Sequence, residues 1–522
     1  MRGEERPAQT LAAEGRLVVE QGTGRRASGV RRPRLARALR ATCALALACA
    51  FGLTALLPAP ALADDSASAD AAAYSADEPP ELSSPAAFLV DRTTGTVLLE
   101  KNADERREPA STTKVMTALV VLENADLDEQ VTVEESDFDE VTADSSVAGL
   151  VAGETLSVRD LLACLLVPSG NDASYVLARA VAGDWQSFVE MMNEKAAELG
   201  CTGTHFANPC GLPDDDHYTT AHDLALIMEA ALQYPEFSEI AGSETWDLPA
   251  TSGNPARTLK STDFMLNPDG PVYLGEGVVT AAKTGYTEDA GRCLVAAAQK
   301  DGMDLVGVVL GAENVADASG VTPNFYDMRS MLEWGFGAWQ TGSVVSAGDV
   351  VSAVDVTLST DGESVDVEAA DSVVATVPRG TTLSDLTVTP AWGASGEDPA
   401  VYDEGEGAFR APLEDGQELG TVTLSLAGRD LGSVGVVAAR AMGLSIPAFV
   451  IWWLSDPVHM LIAVVVAVAV FVTIGLLASW RTRRRKRERY HMAVGQRPRV
   501  RPGVGSKHLK MPDQGVCGRR RR

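Results

Sequence analysis

Ala86-Ala87-Phe88-Leu89-Val90-Asp91 reads as a strand, Thr94-Gly95 as a turn, and Thr96 to Glu100 as the returning strand of a hairpin. Strand patterns come back at 293–298 and 304–310, around a Gly-containing turn at 300–302. Between these runs the period is helical. After Pro109 a helix begins at Ser111, with Val115, Met116, Leu119 and Val120 as its apolar stripe. Residues 157–167 form a second, with Ser157 placed to cap it before Asp160. A third begins near Ala173. Trp185, Phe188, Met191, Met192 and Leu199 mark a fourth, Ala221 to Leu232 a fifth, and Met328 to Phe336 a closing helix. Helices in the middle and strands at both ends predict an α+β domain, its helices layered on a sheet assembled from distant parts of the chain.

Beyond Gly348 the texture changes. Val351, Val354, Val356 and Leu358 alternate, as do Val365 and Val367, then Val373, Ala375 and Val377, and late on Leu419, Val422, Leu424 and Leu426. This predicts a small all-β domain over 350–440. In the juxtamembrane stretch 441–457, Pro447 and Pro457 rule out one long helix. Val458 to Trp480 carries no charge and is long enough for one transmembrane helix. Arg481, Arg483, Arg484, Arg485, Lys486, Arg487 and Arg489 follow at once, so the tail 481–522 is expected to stay in the cytoplasm. The other end agrees. Arg31, Arg32, Arg34, Arg37 and Arg40 precede an apolar run from Ala41 to Leu57, and Ala61 and Ala63 supply small residues for cleavage after Ala63. The expected organisation is a signal peptide with a long leader (1–63), a flexible linker (64–85), the α+β domain (86–345), the β-domain, the juxtamembrane segment, the membrane span and the basic tail. The α+β domain then faces outward on a single-pass membrane protein.

The formal net charge of -28, with basic ends and an acidic middle, argues against nucleic acid as a partner. The six His are scattered, so no metal site and no cofactor is expected. Cys43 and Cys49 leave with the signal and Cys517 lies in the tail. Cys164, Cys201, Cys210 and Cys293 face an oxidising compartment, and Cys201 and Cys210 fit either a disulfide or two buried thiols.

Three short patterns carry chemistry: Ser-Thr-Thr-Lys at 111–114, Ser-Gly-Asn at 169–171 and Lys-Thr-Gly at 283–285. Each alone is common, as a helix cap, a turn and a strand lysine. Together they describe acyl transfer to a serine with lysine moving the proton. Ser111 and Lys114 share a helix face, and Ser111 stands where free backbone N–H groups collect. Lys114 becomes a base through burial and neighbouring cations, for which Lys283 is the candidate. Ser169 is placed to relay a proton between Lys114 and the leaving nitrogen, and Asn171 to hold Lys114 and the substrate backbone. Lys283 and Thr284 suit a substrate carboxylate. Gly285 clears space beside the substrate backbone, and the N–H groups of Tyr286 and Ser111 suit an oxyanion.

These residues resemble the penicillin-binding D-alanyl-D-alanine carboxypeptidases of the low-molecular-weight class, peptidase family S11. The likeness extends to Asp91-x-x-Thr94-Gly95, Pro109-Ala110-Ser111, Gly153-Glu154, Arg159-Asp160-Leu161-Leu162 and Asn171-Asp172-Ala173. It continues through Thr204-x-Phe206-x-Asn208-Pro209-x-Gly211-Leu212, His217, Thr219-Thr220-Ala221-x-Asp223, Ala290-Gly291 and Trp334-Gly335-Phe336. Ala411-Pro412-Leu413 and Gly416-x-x-x-Gly420 resemble the family's C-terminal β-domain. The resemblance implies a β-lactamase/transpeptidase-like α/β sandwich with an antiparallel sheet. It also implies a peptidoglycan stem peptide as substrate, β-lactam antibiotics as covalent inhibitors, and the cell membrane as attachment. A D,D-endopeptidase or a β-lactamase uses the same machinery, and a non-enzymatic wall-binding protein is the remaining alternative. The chain departs from the family's pattern in three places, one of them Cys210, just before Gly211 in a stretch that usually lacks a disulfide. An arginine that helps read the substrate carboxylate is Asn324 by an ungapped count, which leaves either Arg292 or Arg329 to compensate or a weaker carboxylate site. The family's amphipathic anchor helix is replaced by a membrane span.

Overall fold

A computed structural model describes residues 78–393 and 401–494. The signal peptide, most of the linker, the end of the basic tail, and Cys43, Cys49 and Cys517 lie outside the described residues. The hairpin is present as β1 (Ala86–Asp91) and β2 (Thr96–Lys101). The chain then turns through a 3₁₀ segment, Ala110–Thr113, directly into α1 (Lys114–Asn124). Two short hairpin strands, β3 (Gln130–Thr132) and β4 (Thr155–Ser157), lead to α2 (Val158–Leu166). The Ser157 side chain caps α2 by accepting from the Asp160 N–H, as its position predicts. Then come α3 (Asn171–Ala182), α4 (Trp185–Glu198), α5 (Ala221–Ala231) and α6 (Pro235–Ala241). A second small hairpin, β5 (Thr245–Leu248) and β6 (Arg257–Lys260), precedes three long strands. These are β7 (Val279–Thr287), β8 (Gly291–Lys300) and β9 (Met303–Ala312), and α7 (Pro323–Ala338) follows. The closing helix is longer than Met328 to Phe336 because Pro323 starts it a turn and a half earlier, with φ already set for a helix. The third helix starts at Asn171 rather than near Ala173, which puts Asn171 itself on the helix.

The main sheet has the order β2-β1-β9-β8-β7 and every pairing is antiparallel. The N-terminal hairpin therefore lies beside strands from the far end of the domain, Phe88 opposite Val308. Both faces are covered, and the pleat divides the side chains. Phe88, Val90, Val306, Val308 and Leu310 join the core under α1 to α6. Ala87, Leu89, Leu305 and Val309 join a second core under α7. This is the helix-covered antiparallel sheet expected of the fold class. β7 ends the sheet, so one of its edges stays open.

Past α7 the chain forms a two-stranded sheet, Trp339–Val345 with Val373–Pro378, and a seven-stranded one. The alternating Val354, Val356, Val365 and Val367 fill the core of this all-β unit with Phe409, Leu419 and Val422. Its junction to the sheet is polar and partly buried. Thr376 Oγ1 meets Thr94 Oγ1 at 2.6 Å and Thr341 Oγ1 at 2.9 Å, and Thr341 bonds Asp91 Oδ2. At the C-terminus, α8 (Ile446–Ser455) is separated from α9 (Pro457–Val494) by the Pro457 break. The stretch Pro457–Arg487 is long and apolar enough to cross a membrane. This is a single-pass anchor with its basic end on the cytoplasmic side.

Candidate active site

A cleft of about 820 Å³ lies between the 3₁₀ segment, the loop before α3, the loop at 208–213 and the edge strand β7. Ser111, Ser169, Asn171, Thr284, Gly285 and Tyr286 all line it, so the three motifs meet in one place. Lys114 stands directly behind, fully buried. Its Nζ lies 2.9 Å from Ser111 Oγ, 2.6 Å from Asn171 Oδ1 and 2.9 Å from the Cys210 carbonyl oxygen. Two of these partners only accept, and a neutral amine has two N–H bonds and one lone pair. With both N–H bonds taken by the amide and carbonyl oxygens, the lone pair faces the Ser111 hydroxyl. Burial pushes the Lys114 pKa down to about 8, with Cys210 and Asp172 pulling the other way. At pH 7 such an amine is neutral in about a tenth of molecules, against about three in ten thousand at the ordinary value.

The loop at 208–212 supplies the third partner, a backbone carbonyl whose task the pattern Asn208-Pro209-x-Gly211-Leu212 does not announce. Asn208 Oδ1 accepts from the backbone N–H groups of Cys210, Gly211 and Leu212 at 3.2, 2.7 and 3.0 Å. Thr117 Oγ1 donates to the Pro209 carbonyl at 2.6 Å. Gly211 is held at φ +89°, where a Cβ would sit 1.8 Å from the Ala110 carbonyl oxygen, so only glycine permits this contact with the nucleophile turn. Gly211 and Asn208 are legible in the sequence as pattern residues, but their task is not. His217 braces the same turn. Its Nδ1 accepts from the Ala207 N–H, which places the proton on Nε2, 2.8 Å from Thr113 Oγ1. Burial holds its pKa down at about 4, so the ring is neutral.

Asn171 is oriented from both ends. Its Nδ2 donates to Ser145 Oγ at 3.0 Å while Oδ1 faces Lys114. Asp172 accepts from the Ala148 and Leu150 N–H groups and so hangs the loop that carries Ser145. Ser169 sits in the left-handed region at φ 65° and lines the cleft. The three bonds of Lys114 go elsewhere, so a Lys114–Ser169 relay is not preformed.

The strand wall differs from the sequence expectation at Lys283. That side chain is 1 % exposed and does not line the cleft; its Nζ donates to the Thr284 carbonyl at 2.8 Å. Burial first, then the charge of Lys114, holds its pKa well below the ordinary lysine value, with Asp263 opposing. Burial, rather than the charge of Lys283, is what lowers Lys114. Thr284 Oγ1 meets Thr262 Oγ1 at 2.6 Å. A Cβ on Gly285 would lie 2.8 Å from the Pro109 carbonyl and 3.2 Å from Ser111 N, which lets β7 close against the nucleophile turn. Asn324 does line the cleft, whereas Arg329 is engaged by Glu333 and the Pro271 carbonyl. Cys164, Cys201, Cys210 and Cys293 are all buried free thiols. The thiol of Cys201 turns to the Asp223 carbonyl, and that of Cys210 to Tyr175 and Asn208, so no disulfide clips this loop.

Residues 73–314 match the family model described as D-alanyl-D-alanine carboxypeptidase, and residues 339–443 match that of the penicillin-binding protein 5 C-terminal domain. The chain is 33% identical to the D-alanyl-D-alanine carboxypeptidase DacC of Escherichia coli, over 68% of this chain and 83% of that one. The chain belongs to the D-alanyl-D-alanine carboxypeptidases of peptidase family S11. DacF of Bacillus subtilis, another protein of that name, is 29% identical over 68% of this chain and 85% of its own. Among solved structures, penicillin-binding protein 5 from Haemophilus influenzae superposes with a TM-score of 0.51 at 29% identity, covering 70% of this chain and 99% of that one. Membership makes this a serine-type peptidase of the penicillin-binding class, which acts on peptidoglycan and meets β-lactams.

Proposed function

We propose that the protein removes the terminal D-alanine from peptidoglycan stem peptides through an acyl-serine intermediate. The observation that carries this reading is the Lys114 amine, buried and held by two acceptors with its third contact on Ser111 Oγ. Ser111 Oγ attacks the penultimate carbonyl carbon, forming the C–O bond as its proton passes to Lys114. The backbone N–H groups of Ser111 and Tyr286 take the developing oxyanion; the close approach at Gly285 supports this pairing. The C–N bond then breaks and the proton leaves on the nitrogen of D-alanine, with Ser169 at the cleft wall as its relay. Lys114 next deprotonates the water that hydrolyses the ester. Asn171 and Thr284 position the peptide, while Lys283 packs behind them with its amine on the Thr284 carbonyl. Residues 86–345 perform this chemistry, and the β-domain at 350–440 stands it off from the membrane-spanning segment.

The test is incubation with a purified pentapeptide, following free D-alanine, with penicillin labelling in parallel. Release of D-alanine by the wild type, with both activities lost in Ser111→Ala, is expected. No release together with no labelling of the intact protein overturns the reading. Cleavage of cross-linked dimers alone replaces it with an endopeptidase.

A further inference from the structure

Among the described residues lining the cleft, Arg292 is the only one with a cationic side chain. Lys114 and Lys283 are sealed behind the wall, and Asp144, Glu288 and Asp289 make the rest of the charged lining negative. An anionic substrate end entering here meets repulsion unless one group offsets it. Arg292 sits at the start of β8, directly opposite Tyr286 of β7. Its guanidinium carbon lies 4.1 Å from the centre of the Tyr286 ring, and its Nε donates to Asn314 Oδ1 at 2.8 Å. Stacking and that one bond fix the plane of the fork. Nη1 and Nη2 make no hydrogen bond to the described residues, so two donors remain for a ligand. The side chain is half-buried, and burial lowers its pKa, which marks a cation held away from full solvation.

The surroundings point to a carboxylate. Leu294 and Arg292 alternate along β8, and Leu294 is opposite Thr284, so Arg292 and Thr284 share the sheet face that carries α7. The N-terminal turn of α7 brings Thr322 and Asn324 to the same cleft, and its backbone dipole adds a positive end. We infer that Arg292 is the specificity-determining residue that binds the free C-terminal carboxylate of the peptide, together with the Thr284 hydroxyl. This assignment rests on the carboxypeptidase reading above. A stem peptide whose last carboxyl is already consumed in an amide lacks the anion that the fork takes.

The experiment compares two pentapeptides ending in D-Ala-D-Ala, one with a free carboxylate and one with a C-terminal amide, on wild type, Arg292→Gln and Arg292→Lys. The wild type is expected to prefer the carboxylate. Arg292→Gln is expected to lose about 10- to 100-fold in kcat/KM on the carboxylate peptide, mostly through KM, and to be unchanged on the amide. Arg292→Lys is expected to recover part of the loss, since it keeps the charge without the fork. Equal losses on both peptides at unchanged melting temperature, or no loss on either, overturn the assignment. So does a wild type that turns over both ends equally, while leaving the carboxypeptidase reading intact. A wild type that releases D-alanine from neither peptide and takes no penicillin overturns that reading itself, and this assignment with it.

Discussion

The helix side and the strand side of the cleft are built on opposite plans. On the helix side three groups are held several times over: Lys114 has three partners, Asn171 is gripped at both amide ends, and Asn208 holds three N–H groups. On the strand side the exposed groups are sparsely tied. Tyr286 is 39 % exposed, Thr284 has a single hydroxyl partner, and Arg292 keeps two free donors. Proton transfer depends on sub-ångström placement and on a depressed pKa, so its groups are buried and crowded with partners. Recognition needs unspent hydrogen bonds, so its groups are left open.

The largest expected effect breaks the crowded side. Lys114→Met should slow acylation by penicillin about 10²- to 10⁴-fold without removing Ser111, measured as the rate of covalent labelling. An unchanged rate would remove lysine from proton transfer. In the wild type the same rate should climb as pH rises through about 8, because the neutral amine is the reactive form. Next comes Gly211→Ala. Its Cβ collides with the Ala110 carbonyl at a left-handed φ, so the nucleophile turn must shift and labelling should fall at least about tenfold even where the protein still folds.

Acid should also loosen this side. His217 has a folded pKa of about 4, below its ordinary 6.5, so the unfolded chain binds the proton first as pH falls. Stability is then complete above about 6.5 and drops by about 3 kcal/mol between 6.5 and 4. Chemical denaturation at pH 7 and pH 4.5 reads this out, and the contribution should vanish in His217→Gln. The smallest effect belongs to the open side. Thr262→Val removes the hydroxyl partner of Thr284 and should raise KM for a carboxylate-ended peptide about two- to fivefold with kcat held. A large fall in kcat there would show that the strand wall shares the proton-transfer task.

Much of this architecture is legible in the amino-acid order. The short apolar runs at 86–90 and 305–310, each bounded by turn residues, are enough for the strands, because run length and flanking turns are local sequence. The Ser157 cap is legible because its partner is three residues away. The reach of α7 back to Pro323 is not, since its first five residues carry Asn324 and Asp327, whose burial comes from tertiary contacts such as Asp327 with Ser83 and Ser84. The cysteines are undecidable by spacing, and only the separate partners of Cys201 and Cys210 show them as thiols.

By itself the sequence determined which residues to propose for the chemistry and where the chain is anchored. Ser111 and Lys114 share one turn, and the apolar run after Pro457 is continuous; both are local facts. Tertiary structure decided how that chemistry is poised. Lys114 meets Asn171 across 57 positions and the Cys210 carbonyl across 96, and the latter is a backbone group that every residue carries. Burial alone separates Lys283, sealed behind β7, from Arg292, open on the cleft. Both are basic residues in the sequence, and only packing tells a buried amine from an offered cation.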